Sequence, residues 1–133
     1  MKENKLSITI NKSIDEVFEF TINPKNTPLW ITHLKEELAD TYPPHVGTLY
    51  KNTGDFNKWY VYEVTEFKKD KTFTMKAADN NYYVRYTYKN IDNTKTEMEY
   101  FEWVEKGELD NPFTQSTLEK LKEVIERQDF IKK

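Results

Sequence analysis

After residue 35, only one stretch of this chain can form a long amphipathic helix, and it lies at the C-terminal end, Asn111 to Ile131. Leu118, Leu121, Val124 and Ile125 recur there at helical spacing and make one apolar stripe. Lys122, Glu123, Glu126 and Arg127 fall on the opposite face, with Glu123 and Arg127 four apart in the favourable order. Asn111 is the expected cap, and Pro112 suits a first helical turn. The stretch ahead of this helix reads as strand after strand. A sheet and a lone helix each have one apolar face to bury, so the helix must lie across the sheet. Burying each of the four side chains stabilises the fold by roughly 1.5–3 kcal/mol.

The strands follow from alternation and from turn residues. Leu6, Ile8 and Ile10 alternate with Ser7 and Thr9 in a first strand. Ser13 followed by Glu16 is a capping-box pattern, and Ile14, Val17, Phe18 and Ile22 continue it as a helix that must stop before Pro24. Asn26 to Ile31 reads as a second short helix, with Trp30 facing inward. Leu34–Ala39 is an expected edge strand. Further strands are expected over 47–52, 58–68, 72–78, 82–90 and 96–104. Polar turns separate the later ones at Thr53-Gly54-Asp55, Lys69-Asp70-Lys71, Asp79-Asn80-Asn81 and Asp92-Asn93-Thr94. Strands spaced in this way form an antiparallel meander.

The order of these features resembles a known family. A strand, a capped helix and then Asn23-Pro24-Lys25-Asn26-Thr27-Pro28-Leu29-Trp30 resemble the opening of the START-like, or SRPBCC, superfamily, nearest its polyketide cyclase/dehydrase branch. Val46-Gly47-Thr48, Val64-Thr65-Glu66-Phe67 and the terminal helix fall where that family has similar features. The resemblance spans nearly the whole chain as one START-like domain, residues 1–133. It implies an α+β helix-grip fold: a seven-stranded antiparallel sheet wrapped around the C-terminal helix, two short helices after the first strand, and a cavity between sheet and helix.

Alternation assigns the faces. Tyr82, Val84, Tyr86 and Tyr88 share one side of their strand and should face the helix; Tyr83, Arg85, Thr87 and Lys89 share the other. Phe73, Met75 and Ala77 face inward on the preceding strand, and Met98 and Tyr100 on the last. That phase would also carry Glu102 inside and leave Phe101 and Trp103 outside. Either a bulge or frayed strand end resets the phase, which is the favoured expectation, or Glu102 is a cavity carboxylate. Over 58–68, Trp59 and Val61 share one face and Tyr60, Tyr62 and Val64 the other, with nothing to choose between them. The Glu36/Glu37 and Glu97/Glu99 pairs are expected to be solvated charges.

Composition narrows the function. The formal charge is −3, from 20 basic and 23 acidic side chains mixed along the chain, so no basic block supports nucleic-acid binding. No apolar run spans a bilayer, no secretory signal opens the chain, and mean hydropathy is −0.89, which suits a soluble protein. The absence of Cys excludes disulfides and thiolate chemistry and is compatible with a cytoplasmic setting. His33 and His45 are the only histidines, so no metal site is expected; His33 could edge a cavity mouth, but a surface histidine is the favoured expectation. Three glycines leave no phosphate-cradling loop, no Gly-x-Ser-x-Gly elbow exists, and no cofactor is implied. Nine Tyr, eight Phe and three Trp make 15% of the chain aromatic. Tyr joins an apolar ring to a polar tip, which suits a pocket wall, though it also favours strands.

The expected function is therefore a binding module that holds a small, largely apolar, aromatic or lipid-like ligand between sheet and helix. Its expected lining is Trp30, Tyr60, Tyr62, Met75, Tyr82, Tyr86 and Tyr100, with Leu121 and Ile125 from the helix. One alternative is a cyclase/dehydrase-type enzyme in which Tyr hydroxyls or Glu102 move protons, although no catalytic constellation is identifiable. Another is a protein-interaction role like that of the Hsp90-activator branch, for which an outward Phe101/Trp103 patch is the feature to find.

Overall fold

The computed structural model describes residues 1–54 and 57–128. Seven strands form one antiparallel sheet. In chain order they are β1 (Glu3–Ile10), β2 (Glu36–Ala39), β3 (Leu49–Thr53), β4 (Trp59–Lys68), β5 (Thr72–Ala77), β6 (Tyr82–Asp92) and β7 (Lys95–Val104). Their order across the sheet is β1-β7-β6-β5-β4-β3-β2. The meander from β2 to β7 is sequential, and β1 closes on β7 at the far edge. The chain crosses from β1 to the β2 edge through α1 (Ile14–Ile22) and α2 (Thr27–Trp30). The capping box at Ser13 and Glu16 forms, and α1 ends at Asn23 ahead of Pro24 as its sequence requires.

The long helix, α3 (Gln115–Arg127), lies on the inner face. Leu118, Leu121 and Ile125 are fully buried in the same core as Ile10, Phe18, Trp30, Phe73, Tyr86, Met98 and Tyr100. Its start differs from the sequence expectation. Asn111 and Pro112 do not open it; Thr114 is the N-cap residue. Asn111 instead adopts a left-handed backbone, φ +50°. The next residues run as a strap whose Phe113 ring packs against the core, and a residue pinned this way cannot also begin a helix. The expected end at Ile131 lies outside the described residues, as does Asp55 of the turn after β3.

Two features set the inner-face register. In β4 the pairing shifts between Val64 and Glu66, so the bulge at Thr65 turns Phe67 inward behind Tyr62 and Val64. In β7 the pairing with β6 runs unbroken from Thr96 to Val104, and no bulge resets the phase. The favoured expectation for Glu102 is thus corrected: it faces inward and is 2% exposed. Among the described residues, no helix is long and apolar enough to cross a membrane.

Candidate functional site

The inner face of the sheet is built largely from aromatic rings. Tyr86 stands at its centre, with ring centroids 5.3 Å from Tyr100, 5.9 Å from Phe73 and 6.4 Å from Trp30. Phe113, from the strap before α3, stacks face to face on Tyr100 at 4.3 Å and meets Trp30 edge-on at 5.9 Å. Tyr62 and Tyr82 close the same side at 6.4 Å. α1 is tied on by two phenols, Tyr88 to the Thr21 hydroxyl and Tyr50 to the Ile22 carbonyl, each at 2.6 Å.

Glu102 organises the polar part. Its carboxylate accepts a hydrogen bond from the Tyr82 hydroxyl at 2.6 Å, from Asn4 Nδ2 at 2.9 Å and from the Phe113 backbone N–H at 2.8 Å. Asn4 Nδ2 also donates to the Phe113 carbonyl at 2.8 Å. Three donors satisfy one buried carboxylate, as a buried charge requires. They come from β6, β1 and the strap, so Glu102 joins both flanking strands to the segment that carries Phe113. The Tyr100 and Tyr82 hydroxyls lie 3.3 Å apart. Because Tyr82 donates to Glu102, Tyr100 donates to Tyr82, and the proton chain runs Tyr100, Tyr82, Glu102.

Glu37 is a second inward carboxyl, and this corrects the expectation of a solvated charge. It is 8% exposed, accepting from the Thr27 hydroxyl at 2.6 Å and from Asn52 Nδ2 at 3.1 Å. The short β2 twists one of its two glutamates under α2, while Glu36 stays outside. Burial raises the Glu37 pKa, and the two hydrogen bonds only partly oppose this. A raised folded pKa means that ionising Glu37 costs stability once pH exceeds the ordinary carboxyl value, and the cost grows until pH passes the folded value. Glu37→Gln is therefore expected to flatten the fall in stability above about pH 4.5. Urea midpoints measured from pH 4 to pH 8 check this; parallel curves for parent and variant would contradict it.

Burial also pushes the phenols of Tyr82, Tyr86 and Tyr100 well above the usual tyrosine range, with neighbouring phenols and Glu102 adding to it. Tyr62 is pushed up to about 12, first by burial and then by Glu37. These hydroxyls stay protonated and act as hydrogen-bond donors or acceptors near neutral pH.

The other residues expected at the site are placed as follows. Met75, Leu121 and Ile125 are buried in the core with Trp30, Tyr86 and Tyr100. Tyr62 and Tyr82 are half-buried at its margin. Tyr60 shares the inner side of β4 but sits near its end, 50% exposed, with Lys58 Nζ 5.2 Å over its ring. A recess of about 180 Å³ opens at the mouth between α2 and α3, lined by Trp30, His33, Asn111, Phe113 and Thr117 among others. His33 is exposed, as the favoured expectation has it, and lines this mouth together with the buried Trp30 and the half-buried Phe113. A larger hollow of about 500 Å³ follows the solvent side of α3, bordered by Glu119, Lys120 and Glu123. Its charged walls pair with one another and give an apolar ligand nothing to bury against. Among the described residues, no cluster of His, Cys, Asp or Glu could hold a metal.

On the outer face, Phe101 and Trp103 point away from the core, as their alternation requires. Trp103 stacks on Tyr83 at 5.0 Å and on Phe101 at 4.9 Å, with Arg85 5.1 Å over Trp103 and Lys5 5.2 Å over Phe101. The ring faces are used by one another and by the cations, and all three rings are half-buried. Sequence reasoning missed Glu37, Asn4 and Phe113. Each is a lone residue without a periodic partner, and only the paired strands bring it to the site.

No protein-family model matches the sequence, and neither does any curated protein. Solved structures match along nearly the whole chain. The Aha1 dimer from Colwellia psychrerythraea superposes with a TM-score of 0.74 at 17% identity, covering 96% of this chain and 98% of that one. XoxI from Bacillus cereus gives 0.75 at 12% identity, covering 96% and 97%. A START superfamily protein from Mycobacterium smegmatis gives 0.74 at 9% identity, covering 96% and 99%. With a seven-stranded sheet closed on a C-terminal helix, two short helices after the first strand and these structural likenesses, the chain has the START-like, or SRPBCC, fold.

Proposed function

We propose that this chain is a small-molecule binding module that holds an apolar, aromatic ligand between the sheet and α3, in a cytoplasmic setting. The observation that carries the reading is the phenol-rich inner face. Tyr62, Tyr82, Tyr86 and Tyr100 stand beside the fully buried stripe of α3, and a mere lid on a core needs no such set of polar tips. The recess at the mouth is smaller than the roughly 300–1,000 Å³ of a drug-sized site. In this reading Phe113 occupies the place of a ligand ring against Tyr100, and the strap moves when a ligand enters.

Fluorescence titration with N-phenyl-1-naphthylamine tests this. Saturable binding is expected. Tyr86→Ala should weaken it about fivefold or more, and Tyr83→Ala should leave it within about twofold. The two tyrosines share chemistry and strand but face opposite sides. Absence of saturable binding by the parent would overturn the reading. Equal affinity in both variants would move the site off the inner face.

The Tyr82–Glu102 contact of 2.6 Å favours a second reading, a proton-transferring enzyme of the cyclase/dehydrase type. Because the phenols remain protonated, Glu102 would be its base and Tyr82 a hydrogen-bond donor. Turnover of an aromatic polyketone that Glu102→Gln abolishes, with binding retained, would favour it over the first.

A further inference from the structure

The interior is one-sided in charge. Among the described residues, the buried charged side chains are Glu37 and Glu102, and no Lys or Arg is buried with them. Among the described residues, the cations that approach aromatic rings, Lys5, Lys51, Lys58 and Arg85, do so at exposed or half-buried rings and not in the core. The same interior holds a donor without a partner. Trp30 is 1% exposed and, among the described residues, its Nε1–H has no hydrogen-bond acceptor. Tyr86 is 6% exposed and stands beside it. Trp30 and Tyr86 are in edge-on contact, so the unpaired N–H belongs to the ring cluster at the centre of the inner face. Glu37 and Glu102 both act on the Tyr86 phenol and add to the burial that keeps it protonated.

Resting on the binding reading above, we infer that the site selects by charge, taking an uncharged aromatic molecule that carries one carbonyl or hydroxyl oxygen and excluding carboxylates of the same shape. The unpaired Trp30 N–H calls for an acceptor on the ligand, since a buried donor left unmade is costly. The acceptor cannot carry full negative charge. An anion entering this interior would lose its hydration, meet no cation and face the Glu102 carboxylate.

Three probes with one two-ring body separate the parts: naphthalene, 2-acetylnaphthalene and 2-naphthoate, titrated by calorimetry at neutral pH. The ketone should bind about tenfold or more tighter than the carboxylate. It should also bind tighter than naphthalene, and Trp30→Phe, which removes the N–H together with part of the indole ring, should erase that advantage, with naphthalene titrated against the same variant reporting the effect of the lost ring volume. The Glu37→Gln/Glu102→Gln double variant should bring naphthoate to within about threefold of the ketone. Naphthoate binding as tightly as the ketone in the parent, or a preference unchanged in the double variant, would overturn the charge rule while leaving the binding reading intact. Failure of all three probes would overturn the binding reading and this inference with it. Thermal melts of each variant show whether a lost signal reflects a lost fold.

Discussion

A chain ending at Asp110 is expected to lose cooperative unfolding altogether. Leu118, Leu121 and Ile125 are fully buried, and at roughly 1.5–3 kcal/mol each their loss removes on the order of 5–9 kcal/mol. A whole domain holds only about 5–15 kcal/mol. The loss also bares the rings that α3 and its strap cover: Trp30, Tyr86 and Tyr100 would face water across the open side of a curved sheet. Urea titration followed by near-ultraviolet circular dichroism checks the outcome. A truncated chain with a sharp transition and native-like aromatic signals would show α3 to be an appendage.

The second large effect is expected at Glu102. Glu102→Ala strands three donors at once: the Tyr82 hydroxyl, Asn4 Nδ2 and the Phe113 N–H. A buried donor left without a partner costs about 1–3 kcal/mol, and these three are half-buried, so a summed loss of about 2 kcal/mol or more is expected. Glu102→Gln keeps an oxygen for Asn4 and Phe113 and offers its amide to the Tyr82 oxygen, so its loss should stay near 1 kcal/mol. The contrast is informative because Ala and Gln both remove the charge. A large loss in Ala with a small loss in Gln assigns the role to hydrogen bonding. Hydrogen exchange adds a local readout, since the Phe113 amide should exchange much faster in Glu102→Ala than in the parent. If Glu102→Ala lies within about 0.5 kcal/mol of the parent, the strap is not held by this carboxylate.

The loss at Glu102 bears on function through Phe113. The strap is held by two side chains, Glu102 and Asn4, and by the fit of one ring between Tyr100 and Trp30. In the proposed function that ring must yield to a ligand. A variant that frees the strap should therefore bind apolar probes faster even while the fold as a whole is weaker.

What the sequence determined by itself was whatever repeats with a period. The apolar stripe at 118, 121 and 125 marked the covering helix, and Tyr82, Val84, Tyr86 and Tyr88 marked the inner face, because a face repeated several times outweighs any single exception. The Ser13–Glu16 box and Pro24 bounded α1 because capping and proline sterics act locally. Tertiary structure decided the single residues. Glu102 was expected at a bulge or frayed strand end, because a lone charge in phase with a core face looks the same in sequence as a bulge. Unbroken pairing with β6, together with donors from β1 and the strap, settled it inside. Glu37 read as solvent-facing until Thr27 and Asn52, ten and fifteen residues away, supplied its hydrogen bonds. Phe113 lay in what read as the first turn of a helix, and the face of Tyr100 took it for the core instead. Each of these placements depends on contacts between residues distant along the chain, and periodicity carries no record of them.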